Sequence, residues 1–235
     1  MQRLEPVTIT IHGTVVRIQP TEGVFTPTPH GRFYAESVDV RPGDRVLDIG
    51  TGSGVLAIYA ARLGARVEGI DISAAAVAAA RSNAALNGVT VDFRQGPMFA
   101  GVTGRYDVIL ANLPNEIVAP AHLATLDAAE AATFAGGTRG NEVILALLAQ
   151  ASGHLNARGR LYLAVHTLTD YLATLDAALR DYHVRLLTHA ELPVKPFVTE
   201  NLGFYRALND AGTITIFEQD GRWYSHVYVY ELTLP

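Results

Sequence analysis

The chain has 235 residues, enough for one α/β domain with short appendages and too few for two full-sized catalytic domains. Its formal charge of −5, with Lys195 the only lysine and no cationic run, argues against a broad electrostatic footprint on nucleic acid. The absence of cysteine excludes disulfides, thiolate nucleophiles and cysteine-ligated metals, the scattered histidines form no ligand pair, and no apolar run reaches bilayer length, so a cytoplasmic protein without a metal or membrane partner is expected.

Residues 7–18 alternate apolar and polar about His12-Gly13, the pattern of a β-hairpin. Residues 23–31 come next as a rigid loop with too many prolines for a helix or strand. Strand-like runs at 45–49, 66–70, 90–94, 106–111 and 160–165 then alternate with helical stretches at 53–63, 74–86, 119–131 and 141–152. That order predicts a parallel sheet with helices on both faces. Ser73 is placed to cap the alanine-rich helix at 74–86 and Asn87-Gly88 to end it. A helix at 168–181 leads into a strand at 184–187, and strands at 213–217 and 226–232 flank Asp220-Gly221 as a terminal hairpin. The expected organisation is one domain over 1–235: a hairpin at 1–23, a core at 24–192 and 211–235, and an insertion at 193–210. That insertion, with Phe197, Phe204 and Tyr205, reads either as a substrate-covering lid or as a packed connecting loop.

The most informative stretch is the first core strand with the turn at its end: Val46, Leu47, Asp48, Ile49, Gly50, Thr51, Gly52, Ser53 and Gly54. A buried strand running into a glycine turn that opens a helix is a nucleotide-type cofactor site, because the glycines admit a ligand close to the backbone and the helix presents free N–H groups. Asp48 narrows the choice: a carboxylate there repels a pyrophosphate and attracts an ammonium. The third glycine falls at 54, and Val55 stands where a dinucleotide fingerprint wants glycine. Asp71, at the end of the next strand, is placed to take both hydroxyls of a ribose. An amino-acid end plus a ribose points to S-adenosyl-L-methionine, which leaves as S-adenosyl-L-homocysteine.

Over about residues 24–166 the chain resembles the class I S-adenosylmethionine-dependent methyltransferases, whose first two motifs match Asp48, Gly50, Thr51, Gly52 and Gly54, and then Asp71. The resemblance implies a Rossmann-like, seven-stranded methyltransferase sheet with its last strand antiparallel, here with an N-terminal β-hairpin and an insertion near the C-terminus. Family members often hold the adenine amine with an acid after the third strand. Here Gly96-Pro97-Met98 stands there, so backbone groups and apolar contacts from Ile72, Met98 or Phe99 are expected instead. Phe25, His30 and Tyr34 are placed either to close over the methionine end or substrate, or to pack the loop on the sheet edge.

The fourth core strand ends in Asn112-Leu113-Pro114-Asn115, at the strand ends that line the ligand crevice of an open α/β sheet. This tetrad resembles the Asn-Pro-Pro-Tyr signature of methyltransferases acting on amide or exocyclic amine nitrogen. Leu113 replaces the first proline and Asn115 the aromatic ring. A conjugated nitrogen is a poor nucleophile, and hydrogen bonds to the Asn112 side-chain oxygen and the Leu113 carbonyl would aim its lone pair and stabilise the growing positive charge. Glu116 and His166 are candidates to take the proton afterwards, or else serve as a cap and a strand-end residue. Gly136-Gly137-Thr138-Arg139-Gly140 resembles the Gly-Gly-x-Asp-Gly segment of protein-glutamine N-methyltransferases, with Arg139 for the acid. Residues 52–65 followed by Asn83-Ala84-Ala85-Leu86-Asn87 also look like the ribosomal-protein lysine methyltransferases, which lack the Pro114 signature, and Asn-Leu-Pro occurs in some transfer-RNA guanine enzymes. The altered tetrad, the insertion and the absence of a separate recognition domain favour a small-molecule acceptor nitrogen as the partner. A protein side chain of the glutamine type is the alternative, and a non-catalytic cofactor-binding protein the second.

Overall fold

A computed structural model describes residues 5–25, 29–131 and 135–235, with the side chains of residues 29, 30 and 129 outside the description. The fold is mixed α/β, with a central parallel sheet, antiparallel last strands and an N-terminal two-stranded hairpin, as expected. The chain groups into two compact units, one formed by residues 1–112 and 150–162 and the other by 113–149 and 163–233.

In the first unit, β1 (Val7–Ile11) and β2 (Thr14–Ile18) pair antiparallel about His12-Gly13, both at positive φ as a two-residue turn requires. Helix α1 (Pro29–Ala35) precedes β3 (Arg45–Ile49), which pairs in parallel with β4 (Arg66–Asp71) on one side and β6 (Tyr106–Ala111) on the other. Strand β5 (Asp92–Gln95) adds in parallel to β4, and helices α2 (Val55–Arg62) and α3 (Ala74–Leu86) make the crossovers. Val46, Leu47 and Ile49 are buried on both faces of β3, the continuous apolar run of an interior parallel strand.

Helix α3 begins at Ser73, whose hydroxyl accepts from the Ala76 amide, and ends at Asn87 before Gly88 at φ 66°. Its asparagines are not ornamental. Asn83 Oδ1 accepts from the Gln19 amide at 2.8 Å while its Nδ2 donates to the Ser53 carbonyl at 2.9 Å. Asn87, one turn later, pairs with both the amide and the carbonyl of Arg17. Two asparagines at i and i+4 thus tie the hairpin and the glycine turn to one helix face.

The second unit holds α4 (Pro120–Leu123), α5 (Ala128–Ala131) and α6 (Glu142–Ala151). A single helix over 119–131 was the sequence expectation. It is broken because Asp127 and Glu130 cap each other's amides reciprocally, starting a new helix there. Strand β7 (Leu155–His166) is longer than expected, with residues 155–162 in the first unit and 163–166 in the second, and β10 (Arg222–Thr233) lies in the second unit. Helix α7 (Tyr171–Asp181), N-capped by the Asp170 side chain, leads into β8 (His183–Pro193), which pairs antiparallel with β10. Residues 193–210, aperiodic to the eye, form α8 (Pro196–Glu200) and α9 (Leu202–Asp210), and β9 (Ile216–Gln219) closes a hairpin with β10 across Asp220-Gly221. Phe197, Val198 and Tyr205 bury themselves with Ile117, Ala119, Leu168, Ile214 and Ile216, and Phe204 packs on the same cluster.

Candidate active site

In the first unit the glycine turn is fastened to the neighbouring strand: the amides of Gly50 and Thr51 both donate to the Ile70 carbonyl, at 2.9 and 3.1 Å. Gly50, Gly52 and Gly54 all have positive φ, which a side chain would strain. Gly54 also lets two helices meet, since a Cβ there would lie 3.0 Å from the Ala80 Cβ. A Cβ on Gly52 would come within 3.7 Å of Phe25, which lies half-buried over the turn.

Asp48 is only 1% exposed. The Thr51 hydroxyl donates to its Oδ2 at 2.6 Å, and its Oδ1 has no hydrogen-bond partner among the described residues. Burial pushes its carboxyl up to about 7, against the opposing pull of the Thr51 hydroxyl and the Ala57 amide, and the Asp71 charge adds to the rise. Asp71 is half-buried and held by two backbone donors: Gly52 N to Oδ2 and Ser73 N to Oδ1, each at 2.9 Å. Each carboxylate oxygen keeps a further lone pair for a ligand hydroxyl. Beside it Ile72 is 65% exposed, Gly96 is anchored through its amide to the Asp71 carbonyl, Pro97 is exposed and Met98 is half-buried at φ 45°. Phe99 instead belongs to the core, stacked on His154 with ring centroids 4.4 Å apart.

The structure places Tyr34 away from solvent: it is fully buried, donates from its hydroxyl to the Tyr162 carbonyl and accepts from the Ala111 amide, both at 2.9 Å. It therefore fixes the residue just before Asn112. The side chain of His30 lies outside the described residues. Asn112, half-buried, closes the first unit, and Leu113 opens the second.

In the second unit Asn115 is 4% exposed and acts as a strut, its Nδ2 donating to the Leu113 carbonyl at 2.7 Å and its Oδ1 accepting from the His166 amide at 2.8 Å. Pro114 is half-buried between them in sequence. Glu116, also buried, receives the Lys195 ammonium on both oxygens at 2.8 Å and lies 3.8 Å from His166 Nδ1. Burial first and Lys195 second push the His166 ring down to about 3, so the imidazole is neutral. Tyr205 brackets the same loop, donating to the Ile117 carbonyl and accepting from the Ala119 amide, both at 3.0 Å. Phe204 and Tyr205 are thus core residues of this unit. Sequence reasoning passed over Lys195 as a site residue, although a sole lysine in an acidic chain is itself a signal.

The glycine-rich stretch packs against this loop. Gly136 N donates to the Glu116 carbonyl, and a Cβ on Gly136 would overlap the Gly140 carbonyl and come within 2.8 Å of the Asn115 Cα. Arg139, in place of the acid, pairs with Asp170, the N-cap of α7. Gly136→Ala is expected to lower thermal stability by about 3 kcal/mol or more, read as a depressed Tm, because backbone rather than a flexible side chain must yield. An unchanged Tm would show that the loop is not tightly packed.

A relative from Methanocaldococcus jannaschii, named as a putative protein N5-glutamine methyltransferase, is 31% identical over 170 residues, covering 72% of this chain and 84% of that relative. The family model for ribosomal protein L11 methyltransferase matches residues 31–138. With the strand order and the glycine turn, these make the chain a member of the class I S-adenosylmethionine-dependent methyltransferases, and its cofactor is S-adenosyl-L-methionine. Ribosomal protein L11 methyltransferases are also similar: that of Geobacter sulfurreducens is 50% identical over 103 residues, which is 42% of this chain and 34% of the relative. The match to such relatives spans about a third of their length. A solved Thermus thermophilus 16S rRNA N2 G1207 methyltransferase, in complex with AdoMet and guanosine, shares the fold at 18% identity and a TM-score of 0.66, over 99% of this chain and 51% of that one.

The expectation of a small-molecule acceptor is corrected by these findings, since the matching relatives are named as protein methyltransferases. Asn115 is turned inward as a brace between the Leu113 carbonyl and the His166 amide, so its standing in place of a ring does not define the acceptor. Among the described residues no helix is long and apolar enough to cross a membrane, and no group of three or more His, Asp or Glu could hold a metal.

Proposed function

We propose that this chain transfers a methyl group from S-adenosyl-L-methionine to a side-chain amide nitrogen of a protein, of the glutamine type. The observation that carries the reading is the 31% identical relative, 84% of which is covered and which is named as a putative protein N5-glutamine methyltransferase. The cofactor supplies an electrophilic methyl on a sulfonium: as the nitrogen–methyl bond forms the sulfur–methyl bond breaks, S-adenosyl-L-homocysteine leaves and one amide proton is lost to solvent, so the chain's own residues bind, aim and stabilise.

Several features fit the cofactor. Asp48 offers a buried carboxylate oxygen without a partner, suited to an ammonium, and Asp71 a carboxylate already aimed by two amides, suited to a ribose diol. Gly50, Thr51, Gly52 and Gly54 give close backbone approach, while Phe25, Ile72, Gly96, Pro97 and Met98 would flank the methionine and adenine ends. Asn112, through its side-chain oxygen, and Leu113, through its carbonyl, would accept the two amide N–H groups, which aligns the nitrogen lone pair and stabilises its developing charge. The Asn115 brace supports this by fixing the Leu113 carbonyl while leaving it a second lone pair.

Transfer of isotopically labelled methyl from the cofactor into a fractionated host extract tests the reading. Label in a protein, mapped in a digest to a glutamine one methylene heavier, is expected. Label confined to small molecules or to lysine overturns it. Separately, Asp71→Ala is expected to weaken cofactor binding about tenfold or more, with the far-ultraviolet circular dichroism unchanged. Equal affinity by calorimetry would remove Asp71 from the ribose site.

A further inference from the structure

We propose that Lys195 is a positioning residue for the acceptor tetrad, holding the loop after Asn115 by clamping both oxygens of Glu116. This rests on the function proposed above. Lys195 sits at the N-cap of α8, and its ammonium reaches Glu116 Oε1 and Oε2, each at 2.8 Å. The side chain of Glu116 is 4% exposed and that of Lys195 31%, so the pair is largely withdrawn from water and its attraction is little screened.

The neighbours of the pair define the reach of the clamp. Glu116 directly follows Asn115, and its Oε1 lies 3.8 Å from His166 Nδ1. The amide of His166 is one end of the Asn115 strut, whose other end is the Leu113 carbonyl. Among the described residues the carboxylate meets the Lys195 ammonium and the His166 ring, and the Tyr205 phenol of α9 feels its charge. With Lys195 in place the carboxylate is satisfied and His166 stays neutral. Without it, the buried carboxylate is unopposed, the imidazole beside it takes a proton at a higher pH than in the parent, and the loop that carries Asn115 and Glu116 is no longer held at its Glu116 end. A tetrad whose carbonyl must hold an acceptor within a fraction of an ångström loses alignment when its brace shifts.

The test uses the full chain and two readouts, one of which needs no acceptor. In Lys195→Met, the His166 ring followed by nuclear magnetic resonance is expected to titrate about one to three units higher than in the parent. Initial rates of labelled methyl transfer into host-extract protein are expected to fall about tenfold or more, with cofactor affinity within twofold, and the acid limb of the rate profile should move up with the His166 titration. Lys195→Arg, which can still grip both oxygens, should restore most of the rate. If Lys195→Met does not fold, Glu116→Gln combined with Lys195→Met removes both charges and should fold, with His166 neutral and the rate still depressed. An unmoved His166 titration, or a rate that falls only with the folded fraction, overturns the clamp. Absence of any protein methylation by the parent overturns the function proposed above, while the ring titration decides the clamp either way.

Discussion

Replacing Asn112 by alanine is expected to lower the rate of methyl transfer about 10²–10³-fold while leaving the affinity for S-adenosyl-L-methionine within about twofold, the range seen when one preorganised hydrogen-bonding group is lost from a reacting centre. The loss is confined to rate for a structural reason. Asn112 is half-buried at the end of β6, and the residue before it is fixed by the buried Tyr34 hydroxyl, so its backbone position survives the change. What disappears is the side-chain oxygen that would draw positive charge onto the amide nitrogen and aim its lone pair. An amide nitrogen unassisted is nearly inert, because its lone pair is shared with the carbonyl. Equal losses in rate and cofactor binding would instead make Asn112 a wall of the cofactor site, and an unchanged rate would take it out of the mechanism. Asn112→Asp separates charge from shape: a carboxylate still accepts, so part of the activity should persist in single-turnover measurements.

The strand, glycine turn and helix about Asp48 were legible because they succeed one another within a few residues. The parts that stayed hidden depend on distant partners. Tyr34 and Tyr205 read as aromatic residues near a site, yet each spends its hydroxyl on backbone about 80 residues away in sequence, at Ala111 and at Ala119. Asn115 looked like a lost substrate contact until its strut to His166, 51 residues on, came into view. Strand β8 outran its expected four residues because it is an edge strand with no fully buried position, and its alternation breaks where its pairing with β10 slips opposite Val229 and Tyr230. Residues 193–210 hid two helices because α8 is short and begins at a proline, and the apolar face of α9, made by Leu202, Phe204, Tyr205 and Leu208, spans only about two turns.

Asp48→Asn should remove the acid limb of cofactor affinity and at the same time flatten the pH dependence of stability. In the folded chain the Asp48 carboxyl stands at about 7, against an ordinary value near 4, because it is withdrawn from water. Below the unfolded value both states are protonated and the fold carries no penalty. As pH rises from about 4 through 7 the unfolded chain ionises first, so stability falls, by an upper bound of about 4 kcal/mol, and levels off above. The parent is therefore expected to lose Tm across this window in the absence of cofactor, and the Asn variant is not. Binding runs the other way: an ammonium placed on the partnerless Oδ1 needs Asp48 ionised, so affinity should climb as pH rises to about 7 and fall again once the cofactor's own α-amino group deprotonates near 8. For the variant, calorimetry at about pH 7.5 should show affinity lower by about 10–100-fold, the scale of a charge-assisted hydrogen bond, and no acid limb. A variant that binds as tightly as the parent would place the ammonium elsewhere. One that binds weakly yet keeps the parent's pH-dependent Tm would mean that some other buried group titrates. The two readouts together tie the instability of a buried carboxylate with one unpartnered oxygen to the ligand that completes it.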